Sequence, residues 1–122
     1  QEGGIEDGVV EGLVGGSDSG SQDGRLGRTR VFHHSELDLK RRPSPRYPDS
    51  ARALGLGEQV CKARVLIDEK GVPYEVVVRD CPRVFHAETR RGILQWRWMP
   101  PRSGRERVKA QTLIVVRFVL SG

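Results

Sequence analysis

The chain has 122 residues, which is room for one domain and a tail. Its formal net charge of +5 conceals an asymmetry, because residues 1–24 carry six acidic residues and no Lys or Arg. Removing those six charges leaves +11 for residues 25–122. So basic a domain excludes cationic partners and favours anionic ones, namely nucleic acid, anionic lipid, cell-wall polymer or an acidic protein.

The first 27 residues have the composition of a linker. Eight of the first 24 are glycine, mixed with Ser, Asp and Glu, so few side chains there could offset the entropy lost on ordering. We therefore predict a flexible Gly/Ser/acidic linker over residues 1–27. The chain starts at Gln1 and contains no apolar run near the roughly 20 residues that span a bilayer. We expect a fragment of a longer protein or a processed chain, in which any membrane anchor would lie upstream.

Residues 28–42 form a predicted lead-in to the domain. From Val31 to Lys40 two sets of side chains alternate, which indicates an extended segment. It would pair as an extra N-terminal edge strand or cover the edge of the sheet, and the sequence leaves its role open. Pro43 and Pro45 then enforce an extended entry into the domain predicted over residues 43–122.

A short helix and a β-hairpin follow. Pro48 suits the first turn of a helix, which we predict to run to Leu54 and to end at Gly55. An apolar face on alternate residues predicts a strand over Gln59–Ile67. Asp68–Gly71 has the composition of a hairpin loop, so a second strand is predicted over Val72–Asp80.

A second helix and a long final strand complete the predicted domain. The helix is expected from Val84 to Trp96, because apolar and small residues recur along it every three or four positions. The final strand, about Val108 to Leu120, is long for a small domain. We expect it to project past its neighbours or to lie at an edge, where a partner strand can pair. Monomer and strand-swapped dimer both remain open.

Cys61 and Cys81 lie near the open end of the predicted hairpin. Pairing Ile67 with Tyr74 places Cys61 opposite Asp80, one residue from Cys81, and a bulge or a strand-end twist would close that gap. We expect a disulfide, which implies an oxidising compartment. Two buried thiols are the alternative.

Neither a catalytic nor a metal-binding constellation is visible in the sequence. It shows no nucleophile–base pair, carboxylate dyad or phosphate loop, so we predict no enzyme and no catalytic residue. Adjacent residues on a strand point to opposite faces, which separates His33 from His34, and no ligand spacing joins either of them to the cysteines. No metal and no cofactor is expected.

Four short motifs occur in a distinctive order with a strand, a turn, a strand and a helix among them. They are Pro45-Arg46-Tyr47-Pro48, Ala53-Leu54-Gly55-Leu56, Ile67-Asp68-Glu69-Lys70-Gly71 and Trp96-Arg97-Trp98-Met99-Pro100. Over about residues 43–120 the chain thereby resembles the C-terminal domain of TonB-family energy transducers. The predicted fold is α+β, with a three-stranded antiparallel sheet and two helices on one face.

The resemblance implies a function. Such transducers are anchored in the inner membrane by an N-terminal segment, beside a proton-driven motor, and their C-terminal domain lies in the periplasm. There it binds the extended "box" peptide of outer-membrane receptors, which adds a strand beside the last strand. Carried over, the resemblance nominates these peptide-binding residues: Arg46, Tyr47, Pro48, Leu113, Val115 and Arg117.

Two alternatives accompany this interpretation. The family also includes paralogues that serve other envelope machines, such as motility and secretion systems, and the sequence does not separate them from nutrient import. The charge of residues 25–122 motivates a module that binds nucleic acid or another anionic polymer. The chain lacks the clustered aromatics typical of single-strand binders and any recognised nucleic-acid motif, so we do not expect nucleic acid as the partner.

Overall fold

The computed structural model describes residues 10–11 and 29–120, with the backbone alone at residues 10 and 11. The strands are β1 (Val10–Glu11), β2 (Thr29–Val31), β3 (Leu39–Arg41), β4 (Gln59–Ile67), β5 (Pro73–Arg79), β6 (Arg97–Trp98), β7 (Arg102–Ser103), β8 (Glu106–Arg107) and β9 (Lys109–Phe118). The α-helices are α1 (Asp49–Ala53) and α2 (His86–Leu94), and 3₁₀ turns span His34–Glu36 and Arg83–Phe85. Apart from β1, the predicted linker lies outside the described residues.

A five-stranded mixed sheet forms the centre of the domain. Its core is the antiparallel set β9–β4–β5, in which β4 pairs with β9 without a break from Gln59↔Phe118 to Ile67↔Ala110. On the other side of β9, β1 pairs antiparallel and β2 pairs parallel. The prediction of a three-stranded antiparallel sheet is therefore correct for the core, and the whole sheet is larger and mixed. Of the two short strands added to β9, β2 lies in the lead-in where an extra edge strand was one expectation, whereas β1 was not predicted.

One face of this sheet is buried against both helices. Alternate residues of β4 and β9 point to that face, and it carries Cys61, Ala63, Val65, Ile67, Ala110, Thr112, Ile114, Val116 and Phe118. Ala51 of α1 and Ile93 of α2 belong to the same cluster of buried side chains. Burial of each Val, Ile or Phe side chain contributes about 1.5–3 kcal/mol. The prediction of two helices on one face is consistent with this single core.

The second helix is shorter than predicted at both ends. Pro82 is followed by the 3₁₀ turn Arg83–Phe85, and α2 ends at Leu94, capped by the backbone of Gln95. The predicted core stripe is nevertheless buried, because Phe85, Thr89, Ile93 and Trp96 are each fully enclosed. Trp96 thus reaches the core from just beyond the helix. No helix within the described ranges is long and apolar enough to cross a membrane.

The lead-in is extended at its two ends and turned in its middle. β2 lies on the edge of β9, and β3 pairs with β6, with Leu39 opposite Trp98. Between them the 3₁₀ turn is capped by His33. Its ring Nδ1 accepts from the Ser35 backbone N–H, and its backbone N–H donates to the Glu36 carboxylate at 2.8 Å. This local capping interrupts the continuous extended segment that the alternation predicted.

The predicted disulfide between Cys61 and Cys81 is present, with the two Cα atoms 4.9 Å apart. Lys62 pairs with Arg79, so the next position places Asp80 opposite Cys61. Asp80 has a φ of 68°, a left-handed conformation that Asp tolerates better than most residues. That turn at the strand end directs Cys81 toward Cys61 and ties β4 to the segment that leads into α2.

Candidate functional site

The segment Pro45–Pro48 is fixed to α2 and exposes one side chain. Pro45 is buried and lies so close to Gly92 that a Cβ there would be 3.0 Å from the Pro45 ring. Just before it, the Trp96 indole N–H donates to the Pro43 carbonyl at 2.8 Å. In this extended stretch alternate side chains point to opposite sides, so Arg46 projects into solvent.

Tyr47 is a core residue, with 2% of its side chain exposed. Its ring stands edge-on to Phe85 and Phe118, at centroid distances of 5.3 and 6.3 Å, and its hydroxyl donates to the Gly57 carbonyl. Burial raises the pKa of this phenol, although the nearby positive charge of Arg52 partly offsets the effect. Of the predicted partner-binding residues, Tyr47 therefore lies in the core beneath this segment, and Pro48 is partly exposed beside it.

The Tyr-Pro segment and the C-terminal end of β9 meet at one end of the sheet. Tyr47 touches Phe118, and the carbonyl that it binds belongs to Gly57. The next residue, Glu58, has its carboxylate 3.4 Å from Nε of Arg117. The structure thus brings Arg46–Pro48 close in the fold to Arg117, while Leu113 and Val115 continue along the same strand.

The main chain of β9 presents alternate residues to its outer edge, the edge that faces away from β4. The Phe32 N–H donates to the Gln111 carbonyl at 2.9 Å, so Gln111 points its backbone groups outward. Because N–H and C=O directions alternate along a strand, Leu113, Val115 and Arg117 also point theirs outward. The three residues nominated on this strand are therefore those whose backbone can pair with an added strand.

Cationic and apolar side chains share the open face of the sheet beside this edge. Arg64 is opposite Leu113 and Lys62 is opposite Val115. Lys62 lies 3.6 Å from the Asp80 carboxylate, but both side chains are substantially exposed, and such pairs contribute about 0–1 kcal/mol. Lys62 and Arg64 therefore remain accessible to solvent on this face.

One of the two strands at this edge was not predicted. Val10–Glu11 pairs with β9 from within the predicted linker, whereas Thr29–Val31 lies in the lead-in, for which an extra N-terminal edge strand was one of the expectations. The apolar pairs Val9-Val10 and Leu13-Val14 were the signals near Val10–Glu11, but the glycines between them favoured a linker. In the described part of the chain, no group of three His, Cys, Asp or Glu side chains converges on a potential metal site.

A small α+β domain whose sheet edge accepts additional strands, as β9 accepts β1 and β2, has the architecture of modules that can recognise partners by strand addition. The family model for the C-terminal domain of the Gram-negative bacterial TonB protein matches residues 43–120. The chain therefore belongs to the TonB C-terminal family, which comprises non-enzymatic periplasmic transducer domains. No curated protein matches the chain.

Proposed function

We propose that this domain couples inner-membrane proton-motive force to an outer-membrane protein by binding an extended peptide of that protein. The peptide adds a strand along the outer edge of β9, over Leu113, Val115 and Arg117. Membership of the TonB C-terminal family supports a partner in the cell envelope such as an outer-membrane receptor. The motor partner and the inner-membrane anchor follow from the same resemblance.

The observation that carries the proposal is the pairing already made at this edge. β9 accepts β2 in parallel and β1 in antiparallel orientation, so its outer backbone groups are competent for strand addition in either direction. Main-chain hydrogen bonds supply affinity in this mode of recognition, and pockets for alternate side chains supply specificity. The cations beside the edge favour an acidic peptide.

The test is an amide NMR titration of the full chain with box peptides from candidate outer-membrane receptors of the same cell. We expect shifts concentrated at Arg46–Pro48 and at Leu113–Arg117. An intact spectrum that does not respond to any of these peptides contradicts receptor coupling, and the search then moves to proteins of other envelope machines.

Val115→Pro isolates the role of the edge. Proline removes the backbone donor that faces the added strand, whereas the donors that face β4 belong to the even-numbered neighbours Ile114 and Val116. We expect Val115→Pro to lose peptide binding, and Val115→Ala, which keeps the N–H, to retain it. Normal affinity in a folded Val115→Pro protein contradicts strand addition at β9.

A second pair of variants distinguishes residues of the Tyr-Pro segment that contact the peptide from residues that stabilise the fold. Arg46→Ala removes an exposed cation, so we expect weaker binding of an acidic peptide at unchanged stability. Tyr47→Phe deletes one buried hydrogen bond, so we expect lower stability by about 1 kcal/mol with affinity preserved. If Tyr47→Phe instead weakened peptide binding and left stability unchanged, Tyr47 would be assigned a direct contact with the peptide.

A further inference from the structure

The outer edge of β9 is already partly occupied by this chain. β1 pairs antiparallel with it, Val10 opposite Val116 and Glu11 opposite Val115. We propose that Val10–Glu11 is an intramolecular ligand of the peptide-binding edge, and that an external peptide binds over Val115 only after displacing it. The self-pairing stands on the strand register alone, whereas the competition also rests on the proposed function.

The register specifies which contacts hold β1. Val115 points its backbone groups outward, as argued from the bond between Phe32 and Gln111, so Glu11 and Val115 form the hydrogen-bonded pair. Val10 and Val116 then form the non-hydrogen-bonded pair, whose Cα atoms approach to about 4.5 Å in antiparallel sheets. The N–H of Glu11 faces β9, and the N–H of Val10 faces away.

Charge and tethering favour this occupant. The first 24 residues carry six acidic side chains and no Lys or Arg, while Lys62 and Arg64 lie on the sheet face beside the edge. Residues 12–28 join β1 to β2, so β1 competes as a tethered ligand at an effective concentration on the order of millimolar. A strand of two residues makes few hydrogen bonds, so a longer acidic peptide in extended conformation can displace it.

The self-pairing is testable in the full chain with no partner present. We expect a nuclear Overhauser effect between the Hα protons of Val10 and Val116. Glu11→Pro removes the donor that faces β9, and the Val115 amide should then exchange about tenfold faster with solvent. Val10→Pro is the matched control, because its missing N–H faced away, and it should leave that exchange unchanged. No Overhauser effect, or equal exchange in the wild type and Glu11→Pro, overturns the proposal.

The binding surface is testable in trans. A synthetic peptide of residues 7–14 (Asp-Gly-Val-Val-Glu-Gly-Leu-Val), added to the Glu11→Pro chain, should shift the amides of Leu113, Val115 and Arg117. A peptide of the same composition in scrambled order is the control. If both peptides give equal shifts, the sequence of residues 7–14 has no special fit to this edge, and the proposal fails.

Competition is tested with a receptor box peptide on the same variants. Its apparent Kd equals the intrinsic Kd divided by the fraction of molecules in which β1 does not occupy the edge. The receptor peptide should therefore bind Glu11→Pro at least about threefold more tightly than the wild type or Val10→Pro. Equal affinity for all three overturns the competition. A receptor peptide that binds none of them, while peptide 7–14 still binds Glu11→Pro, contradicts receptor coupling and leaves the self-pairing standing.

Discussion

Gly71 and Trp98 join the tip of the β4–β5 hairpin to the Trp-Arg-Trp motif. The Trp98 N–H donates to the Gly71 carbonyl at 2.9 Å. A Cβ on Gly71 would lie 2.0 Å from the carbonyl oxygen of Trp98. Gly71 also has a φ of 90°, so both its conformation and the close approach of Trp98 require glycine. Two of the motifs that identified the family are thus parts of one contact.

Gly71→Ala should therefore be strongly destabilising. A left-handed conformation costs roughly 1–2 kcal/mol for a residue with a Cβ, and the overlap with Trp98 forces a backbone shift in addition. We expect a loss of roughly 2–4 kcal/mol in the free energy of unfolding, measured by urea denaturation. Gly104→Ala is the control, because Gly104 has a φ of 67° and nothing within 4 Å of its would-be Cβ. If both variants lost a similar free energy of unfolding, the contact with Trp98 would not explain the requirement for glycine at position 71.

The Cys61–Cys81 bond should contribute substantially to stability. It closes a loop with a sequence separation of 20 residues, which is worth about 3 kcal/mol in the chain-entropy description. We expect Cys61→Ala/Cys81→Ala to unfold at lower urea concentration by that amount. A reducing agent should bring the wild type close to the double variant and leave the double variant unaffected. If the reduced wild type keeps its full stability, the bond has no such role.

Substitution of threonine by valine is expected to have opposite effects on stability at Thr112 and at Thr89. The Thr89 hydroxyl donates to the Phe85 carbonyl at 2.7 Å, whereas the buried Thr112 hydroxyl has no hydrogen-bond partner among the described residues. Thr112→Val replaces an unsatisfied polar group by a methyl group and should stabilise by about 1 kcal/mol, while Thr89→Val should destabilise by a similar amount. Calorimetric melting of the two variants checks the pair. Destabilisation by Thr112→Val would indicate that its hydroxyl is satisfied in solution.

Tyr47 predicts a loss of stability at alkaline pH. Burial raises its pKa in the folded state above the ordinary value of 10.0, so above that value the unfolded chain releases the phenolic proton first. The stabilisation is complete below about pH 10 and decreases as the pH rises toward the folded pKa, by at most about 1.4 kcal/mol per pH unit. Urea unfolding between pH 9 and 11 should show a shallower decline in Tyr47→Phe than in the wild type.

Tyr74 provides the comparison for this pH effect. Its pKa is also raised, by burial and then by the carboxylates of Glu75, Asp68 and Glu69, but 47% of the side chain is exposed. Solvent screens these charges, so Tyr74→Phe should change the alkaline decline less than Tyr47→Phe does. Equal effects would mean that burial of Tyr47 does not control the decline.

The strands were predictable because their signals are local. Period-two alternation gave the bounds of β4 without error and located β9, and the turn residues after Ile67 located the hairpin. Spacings of three and four residues found the buried stripe of α2, but its ends depend on Pro82 and on how Trp96 enters the core. The capping box that His33 forms with the turn His34–Glu36 broke a segment that alternation alone treated as continuous.

The candidate site was predictable in part. The resemblance nominated Leu113, Val115 and Arg117, and the backbone direction of β9 supplies a physical reason for those three. It also nominated Tyr47, whose packing against Phe118 is a long-range contact that composition does not reveal. The pairing of Val10–Glu11 was not predicted. Two residues among glycines are too short to show the alternation of a strand, and their partner on β9 lies more than 100 residues later in the chain.

The unequal lengths of the pairings on β9 have a mechanical consequence. Tension between the N-terminal end of the chain and β9 reaches the two pairs of β1 first, then the three pairs of β2. The unbroken ladder between β4 and β9 is loaded in shear, with nine pairs resisting together. We expect a pulled molecule to give up its N-terminal strands in sequence, at low force, well before the core yields. A chain that holds a peptide over Val115 has already released β1, so under tension it would lengthen by releasing β2 while the peptide stays bound.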